Sequence, residues 1–194
     1  MAEERNDARR PGGQLSEQDR SALLRVARLV MTEYLSAGRT PSHSTESSVL
    51  LEHRGAFVSL QRRDSGALRG CLGEFQPRHP LIEAVSQMAV AAATRDPRFL
   101  AVTAEELPEL QIEISALTPL YPIRPEQIQV GVHGLMIVKG KRKGLLLPHV
   151  PLAFGWDREG FLVNLCLKAG LEMDAWRSGD VELVAFETDV WEEN

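Results

Sequence analysis

The stretch Leu110-Gln111-Ile112-Glu113-Ile114-Ser115-Ala116-Leu117 alternates apolar and polar side chains up to Ala116. Successive side chains on a strand point to opposite faces. Ile112 and Ile114 therefore share one face, and Glu113 looks the other way. A strand of this kind needs neighbours, and the chain supplies them as hairpins. Gly55-Ala56-Phe57-Val58-Ser59-Leu60-Gln61 reads as a strand, Asp64-Ser65-Gly66 as a turn, and residues 67–72 as the returning arm, with Cys71 near its end. Leu135-Met136-Ile137-Val138 and Leu145-Leu146-Leu147 flank a second turn, Lys139-Gly140-Lys141-Arg142-Lys143, and Pro148 ends that arm. Val181 to Phe186 reads as a last strand. Hairpins impose antiparallel pairing. The fold class is therefore α+β.

Helical periodicity fills the intervals. Leu23, Val26, Ala27, Val30 and Tyr34 recur on one face over residues 17–37, with Ser16 and Asp19 as a capping box and Gly38 as the stop. His79-Pro80 opens a second helix lined by Leu81, Val85, Met88, Ala89 and Ala92, and Asp96-Pro97 closes it. The small side chains from Ala89 to Ala93 predict close packing on a sheet. Asp157 caps a helix over 158–169, whose stripe is Phe161, Leu162, Leu165, Cys166 and Ala169. The segment after Pro119 reads as irregular. Residues 1–14, charged and then Pro11-Gly12-Gly13, read as a disordered tail, leaving 15–194 as the folded part. A chain of 194 residues suits one domain, or two lobes sharing a core.

Composition narrows the function classes. The formal net charge of -5 argues against a nucleic-acid binder with a basic face. The basic turn at 139–143 reads as a solvated hairpin tip. Cys71 and Cys166 form no disulfide framework and no CxxC pair, which points to a reducing, cytoplasmic setting. No apolar run is long enough to span a bilayer, and Met1 to Gly13 lacks the apolar core of a signal peptide. No histidine or cysteine pair has metal-ligand spacing. Gly70-Cys71-Leu72-Gly73 lacks the third glycine and the helix start of a dinucleotide loop.

The chemistry-bearing stretch is Leu68-Arg69-Gly70-Cys71-Leu72-Gly73-Glu74. A thiol stands between two glycines, with Arg69 close before it. Glycines leave backbone amides uncovered for a ligand or an oxyanion, so Arg69, Gly70 and Gly73 are candidate binding residues. A neighbouring guanidinium favours a thiolate. The competing reading is a tight strand end that carries a buried cysteine. A cysteine nucleophile needs a base and an orienting group. His133, in Gly131-Val132-His133-Gly134, is the candidate base and is expected to be exposed at a sheet end. Glu113 or Glu74 could orient an imidazole; either could equally be a solvated carboxylate. The catalytic candidates are thus Cys71, His133 and Glu113. Cys166, on the apolar helix stripe, is expected to be structural.

Taken in order, several blocks resemble one family. Leu68-Arg69-Gly70-Cys71-Leu72-Gly73 looks like its signature, and Asp96-Pro97-Arg98-Phe99, Ile112-Glu113-Ile114-Ser115 and Gly131-Val132-His133-Gly134 match further blocks. Leu146-Leu147-Pro148, Gly155-Trp156-Asp157 and Cys166-Leu167-Lys168-Ala169-Gly170-Leu171 complete the set. The chain resembles the AMMECR domain family, also called AmmeMemoRadiSam system protein A, from about residue 17 to 191. That resemblance implies a two-lobed α+β domain built largely on antiparallel sheet, with a cleft lined by the signature cysteine. It also implies two partners, a Memo-like protein and a radical S-adenosylmethionine protein. It names no cofactor and no reaction. His149 stands where relatives commonly carry glutamine, which shifts the base assignment to His133. Two functions follow: a component of a modification system acting through Cys71, or a non-catalytic adaptor presenting the same site to a protein or small-molecule ligand.

Overall fold

Ser16 caps α1 (Glu17–Ala37) through a reciprocal box: the Asp19 amide donates to Ser16 Oγ at 3.1 Å, and the Ser16 amide to Asp19 Oδ2 at 3.0 Å. Gly38 ends the helix in a left-handed conformation, φ 66°. These bounds match the periodicity of the sequence. The structure is a computed structural model and describes residues 13–193. The expected tail over 1–14 therefore lies outside the described residues except for Gly13 and Gln14. Gly13 is tied down: its amide donates to Glu52 Oε1 at 3.1 Å, and its carbonyl accepts from the buried Arg54 guanidinium.

The chain divides into two compact units, one running to Leu117 and taking back the chain from Asp189, the other Thr118–Thr188. In the first, β1 (Ala56–Arg62) pairs antiparallel with both β2 (Leu68–Glu74) and β3 (Leu110–Leu117), and the sheet order is β2-β1-β3-β8, where β8 is Thr188–Glu192. Val58 and Leu60 of β1 and Ile112 and Ile114 of β3 bury one face against α1 and α2 (Leu81–Thr94). The small residues of α2 let it come close: a Cβ on Gly70 would lie 2.3 Å from the Ala92 carbonyl oxygen. Gly70 is thus a glycine because a helix backbone occupies the space its side chain would need.

In the second unit the sheet order is β4-β7-β5-β6, from β4 (Tyr121–Pro122), β5 (Gly134–Lys139), β6 (Arg142–Leu146) and β7 (Glu182–Phe186). Between β6 and β7 lie α3 (His149–Phe154) and α4 (Arg158–Lys168). Phe161, Leu162, Leu165 and Cys166 of α4 pack against Leu135, Ile137 and Ala185. Asp157 Oδ1 accepts from the Gly160 amide at 2.8 Å, the expected N-cap.

Three elements depart from the sequence reading. β4 lies in the segment after Pro119 that reads as irregular. Residues 149–154 form α3 directly after Pro148, which in sequence marks only the end of the strand arm, because a helix tolerates proline in its first turn. β8 was not marked by alternation. It pairs because Trp191 packs on the first core and donates through Nε1 to the Arg20 carbonyl at 3.2 Å, while the Glu193 amide donates to the Ile112 carbonyl at 2.9 Å.

Candidate functional site

Cys71 lies in the middle of β2, not at a strand end, and it is half-buried. Register sets its neighbours. Ser59 of β1 stands opposite Cys71 on one side and opposite Glu113 of β3 on the other. Gly70 faces α2, so the row Cys71–Ser59–Glu113 lies on the sheet face turned away from that helix. The Ser59 hydroxyl donates to Cys71 Sγ at 3.2 Å. Glu113 makes no hydrogen bond or ion pair among the described residues. Burial, then the charge of Glu192, pushes its carboxyl above the ordinary carboxylate range. The structure therefore brings Cys71 and Glu113 onto one face, separated by a serine the sequence reading passed over.

β2 is an edge strand, and its outer edge at Cys71 is closed by side chains. Asp96 is 5% exposed. Its Oδ2 accepts from the Cys71 amide at 2.8 Å, and the carboxylate also takes the Arg98 amide at 3.1 Å, Nε at 2.9 Å and Nη2 at 2.6 Å. Arg98 Nη2 approaches the Cys71 carbonyl at 3.4 Å. The Arg98 guanidinium and these amides hold the Asp96 carboxyl far below the usual carboxylate range. Asp96 and Arg98 thus grip both backbone polar groups of Cys71. They belong to the Asp-Pro-Arg-Phe block, and nothing in its local spacing announces a contact 25 residues back along the chain.

Arg69 is turned to another task. Its Nε and Nη2 donate to Glu106 at 2.6 and 2.9 Å, and Nη1 donates to the Leu100 carbonyl at 2.9 Å. The strand register shifts between Leu60 and Gln61, opposite this point. Gly73 pairs with Phe57, and a Cβ there would lie 2.1 Å from the Phe57 ring. Packing alone accounts for glycine at 70 and at 73.

His133 belongs to the second unit, whereas Cys71 and Glu113 belong to the first. It is 9% exposed, not open at the sheet end as the flanking glycines suggested. The turn that precedes β5 folds over it. Nδ1 accepts from the Gln129 amide at 3.1 Å, and the ring meets Tyr121 edge-on at 6.2 Å between centroids. That acceptor role assigns the proton to Nε2. Burial pushes the imidazole below its ordinary 6.5, with Glu187 acting the other way. In this tautomer His133 presents a donor, and a base role at Nε2 would cost the Gln129 bond. His149 begins α3 and is exposed. Cys166 is fully buried in α4, and burial pushes its thiol up.

Among the described residues no group of three or more His, Cys, Asp or Glu is placed to hold a metal ion, and no helix is long and apolar enough to cross a membrane. The AMMECR1 family model matches residues 24–191. The chain is 40% identical over 190 residues to protein MK0488 of Methanopyrus kandleri, covering 94% of this chain and 92% of that one. It is 44% identical over 182 residues to a protein of Thermococcus gammatolerans, covering 88% of each. The crystal structure of the uncharacterized protein PH0010 from Pyrococcus horikoshii is similar at a TM-score of 0.71 and 41% identity, covering 89% of this chain and 90% of that one. With the signature cysteine and the Asp-Pro-Arg-Phe block meeting at one strand edge inside that match, the chain belongs to the AMMECR1 family.

Proposed function

We propose that this protein is a cytoplasmic component of a modification system, working with a Memo-like protein and a radical S-adenosylmethionine protein, and that Cys71 is the reacting group of its site. The observation that carries the reading is the construction around the sulfur. Ser59 donates to Sγ from one side, and Asp96 with Arg98 fixes the Cys71 backbone from the other. A cysteine kept only as a small core residue needs neither. Ser59 steadies the sulfur, and Glu113, whose carboxyl is pushed above the ordinary range by burial and by Glu192, is the carboxyl that shares the row. Arg69, Gly70 and Gly73 shape the strand that carries the thiol. His133 contributes within its own unit as an Nε2–H donor.

The alternative is an adaptor that presents this face without reacting. It is favoured by Glu113, which has no partner among the described residues and sits on a half-buried face a ligand could complete. Complementation in cells lacking the protein separates the two, with recovery of the Memo-like partner measured on the same variant. Cys71→Ser that folds, binds the partner and fails to complement supports a reacting thiol. Cys71→Ser that complements in full supports the adaptor and ends the catalytic reading.

A further inference from the structure

The row that holds Cys71 does not stop at Glu113; it crosses all four strands of the first sheet. Register places Cys71 of β2 opposite Ser59 of β1, and Ser59 opposite Glu113 of β3. The Thr118 amide donates to the Glu187 carbonyl and the Glu193 amide to the Ile112 carbonyl, both at 2.9 Å. β8 therefore runs antiparallel to β3, and Glu192 stands opposite Glu113. Trp191 packs on the core, which turns Glu192 to the face of Glu113. Along the row stand a thiol, a hydroxyl and two carboxyls. Two strand spacings, roughly 10 Å, separate the Cys71 position from that of Glu113.

Like charges directly opposite each other on neighbouring strands oppose pairing. Nothing among the described residues offsets this pair. Neither Glu113 nor Glu192 makes a hydrogen bond or ion pair there, and Arg28 and Arg63 hold the next residue, Glu193. Burial and the Glu192 charge push the Glu113 carboxyl up, as expected of a half-buried acid beside a second one with no cation. Cys71, Ser59 and Glu113 are half-buried, whereas Glu192 is exposed at the rim. That profile admits a slender chain from the β8 side and not a folded protein surface. In the adjoining row of the same face, Phe57 and the 54% exposed Val190 offer apolar surface for methylene groups.

We propose that the row selects a free, linear primary amine, with its ammonium held between Glu113 and Glu192 and the far end of its chain over the Cys71 sulfur; this rests on the reading of Cys71 as the reacting group. An ammonium is compact and has three donors pointing apart, so it can bond to carboxylates on two strands at once. A guanidinium fork is planar and matches a single carboxylate. A metal ion needs a larger ligand set, and no group of three or more His, Cys, Asp or Glu is placed to hold one among the described residues. Glu113 and Glu192 are then specificity residues, and the spacing of the strands sets the length of the substrate.

Disulfide labelling of the full chain by alkyl methanethiosulfonates tests this. The Cys71 thiolate attacks the reagent's sulfenyl sulfur, a mixed disulfide forms and methanesulfinate leaves; mass spectrometry reads the rate at Cys71. The measured quantity is the rate with 6-aminohexyl over that with 6-hydroxyhexyl reagent, each relative to a neutral model thiol, so the thiolate fraction cancels. Wild type at low salt is expected to prefer the amine about tenfold, the lower end of electrostatic focusing. The 2-aminoethyl and 2-hydroxyethyl pair, too short to reach Glu113, should show a ratio near one. Glu113→Gln and Glu192→Gln should each cut the long-chain preference about threefold or more, with the melting temperature undiminished because neither side chain bonds within the fold. No long-chain preference in wild type overturns the proposal, and so does a preference that either variant leaves intact. An equal preference at both chain lengths overturns the spacing and marks only a broadly acidic surface. Full complementation by Cys71→Ser would end the thiol's role without altering this ratio, and a missing preference would leave the complementation result standing.

Discussion

Ser59 and Cys71 face each other across the β1–β2 ladder, hydroxyl to sulfur at 3.2 Å. The donor is supplied by register, since Ser59 is the one β1 residue opposite Cys71. Replacing Ser59 with alanine should leave the sheet intact and slow alkylation of Cys71 by iodoacetamide several-fold at neutral pH, because the sulfur loses its hydrogen-bond donor. Mass spectrometry of the labelled chain reads the rate at Cys71 directly. An unchanged rate would show that the hydroxyl does not act on the sulfur. Cys71→Ser itself should cost within about 1 kcal/mol of stability, as at a half-exposed position.

Asp96 links acid sensitivity to the same strand. Its folded carboxyl is held below the ordinary range, first by Arg98 and then by backbone amides including that of Cys71. The ionised form is therefore favoured in the folded state. That stabilisation is fully present above the ordinary carboxylate range and is lost as pH falls through and below it. Asp96→Asn should lower the melting temperature clearly at pH 7, and its deficit relative to wild type should shrink in strongly acidic buffer. A deficit independent of pH would mean that the charge is not what matters.

His133 shares that proton preference, although the deprotonated form favoured by the fold is here the neutral one. Burial holds its folded value below 6.5, so the unfolded chain binds the proton more readily. Stability is then greatest above about 6.5 and declines as pH falls through that value toward the folded one. His133→Gln should flatten the stability profile between about pH 5 and 7. A chemical-denaturation series across that range checks it, and an unchanged slope would count against a neutral buried imidazole.

Gly70 tests the helix-on-strand contact. With Ala92 oxygen 2.3 Å from where a Cβ would be, Gly70→Ala forces α2 away from β2. Overpacking of this kind costs on the order of 1–3 kcal/mol. Urea titration should show the loss. A variant as stable as wild type would show that the helix has room to give.

What was legible beforehand followed from local rules. The capping box at Ser16 and Asp19, the left-handed Gly38 and the N-cap at Asp157 satisfy their own helix ends, so sequence and structure agree there almost residue for residue. The alternation in 110–117 separates Glu113 from Ile112 and Ile114 in any sheet that buries one face. α3 escaped notice because proline at a helix start and proline after a strand look alike in sequence. β8 escaped because its two apolar residues, Val190 and Trp191, mark no period.

By itself, the sequence determined the antiparallel α+β class, the principal helices and hairpins, and the glycine-flanked placement of Cys71 on a hairpin arm. It did so because capping, turn chemistry and side-chain periodicity act over a few residues. Only the tertiary structure decided what surrounds that thiol. Ser59 reaches it through strand register, and Asp96 and Arg98 reach it around the end of α2. Arg69 is drawn away to Glu106, and Glu193 finds Arg28 across 165 residues. Each of these is a contact between distant segments, and its partner depends on which backbones pack together, a choice no local window contains.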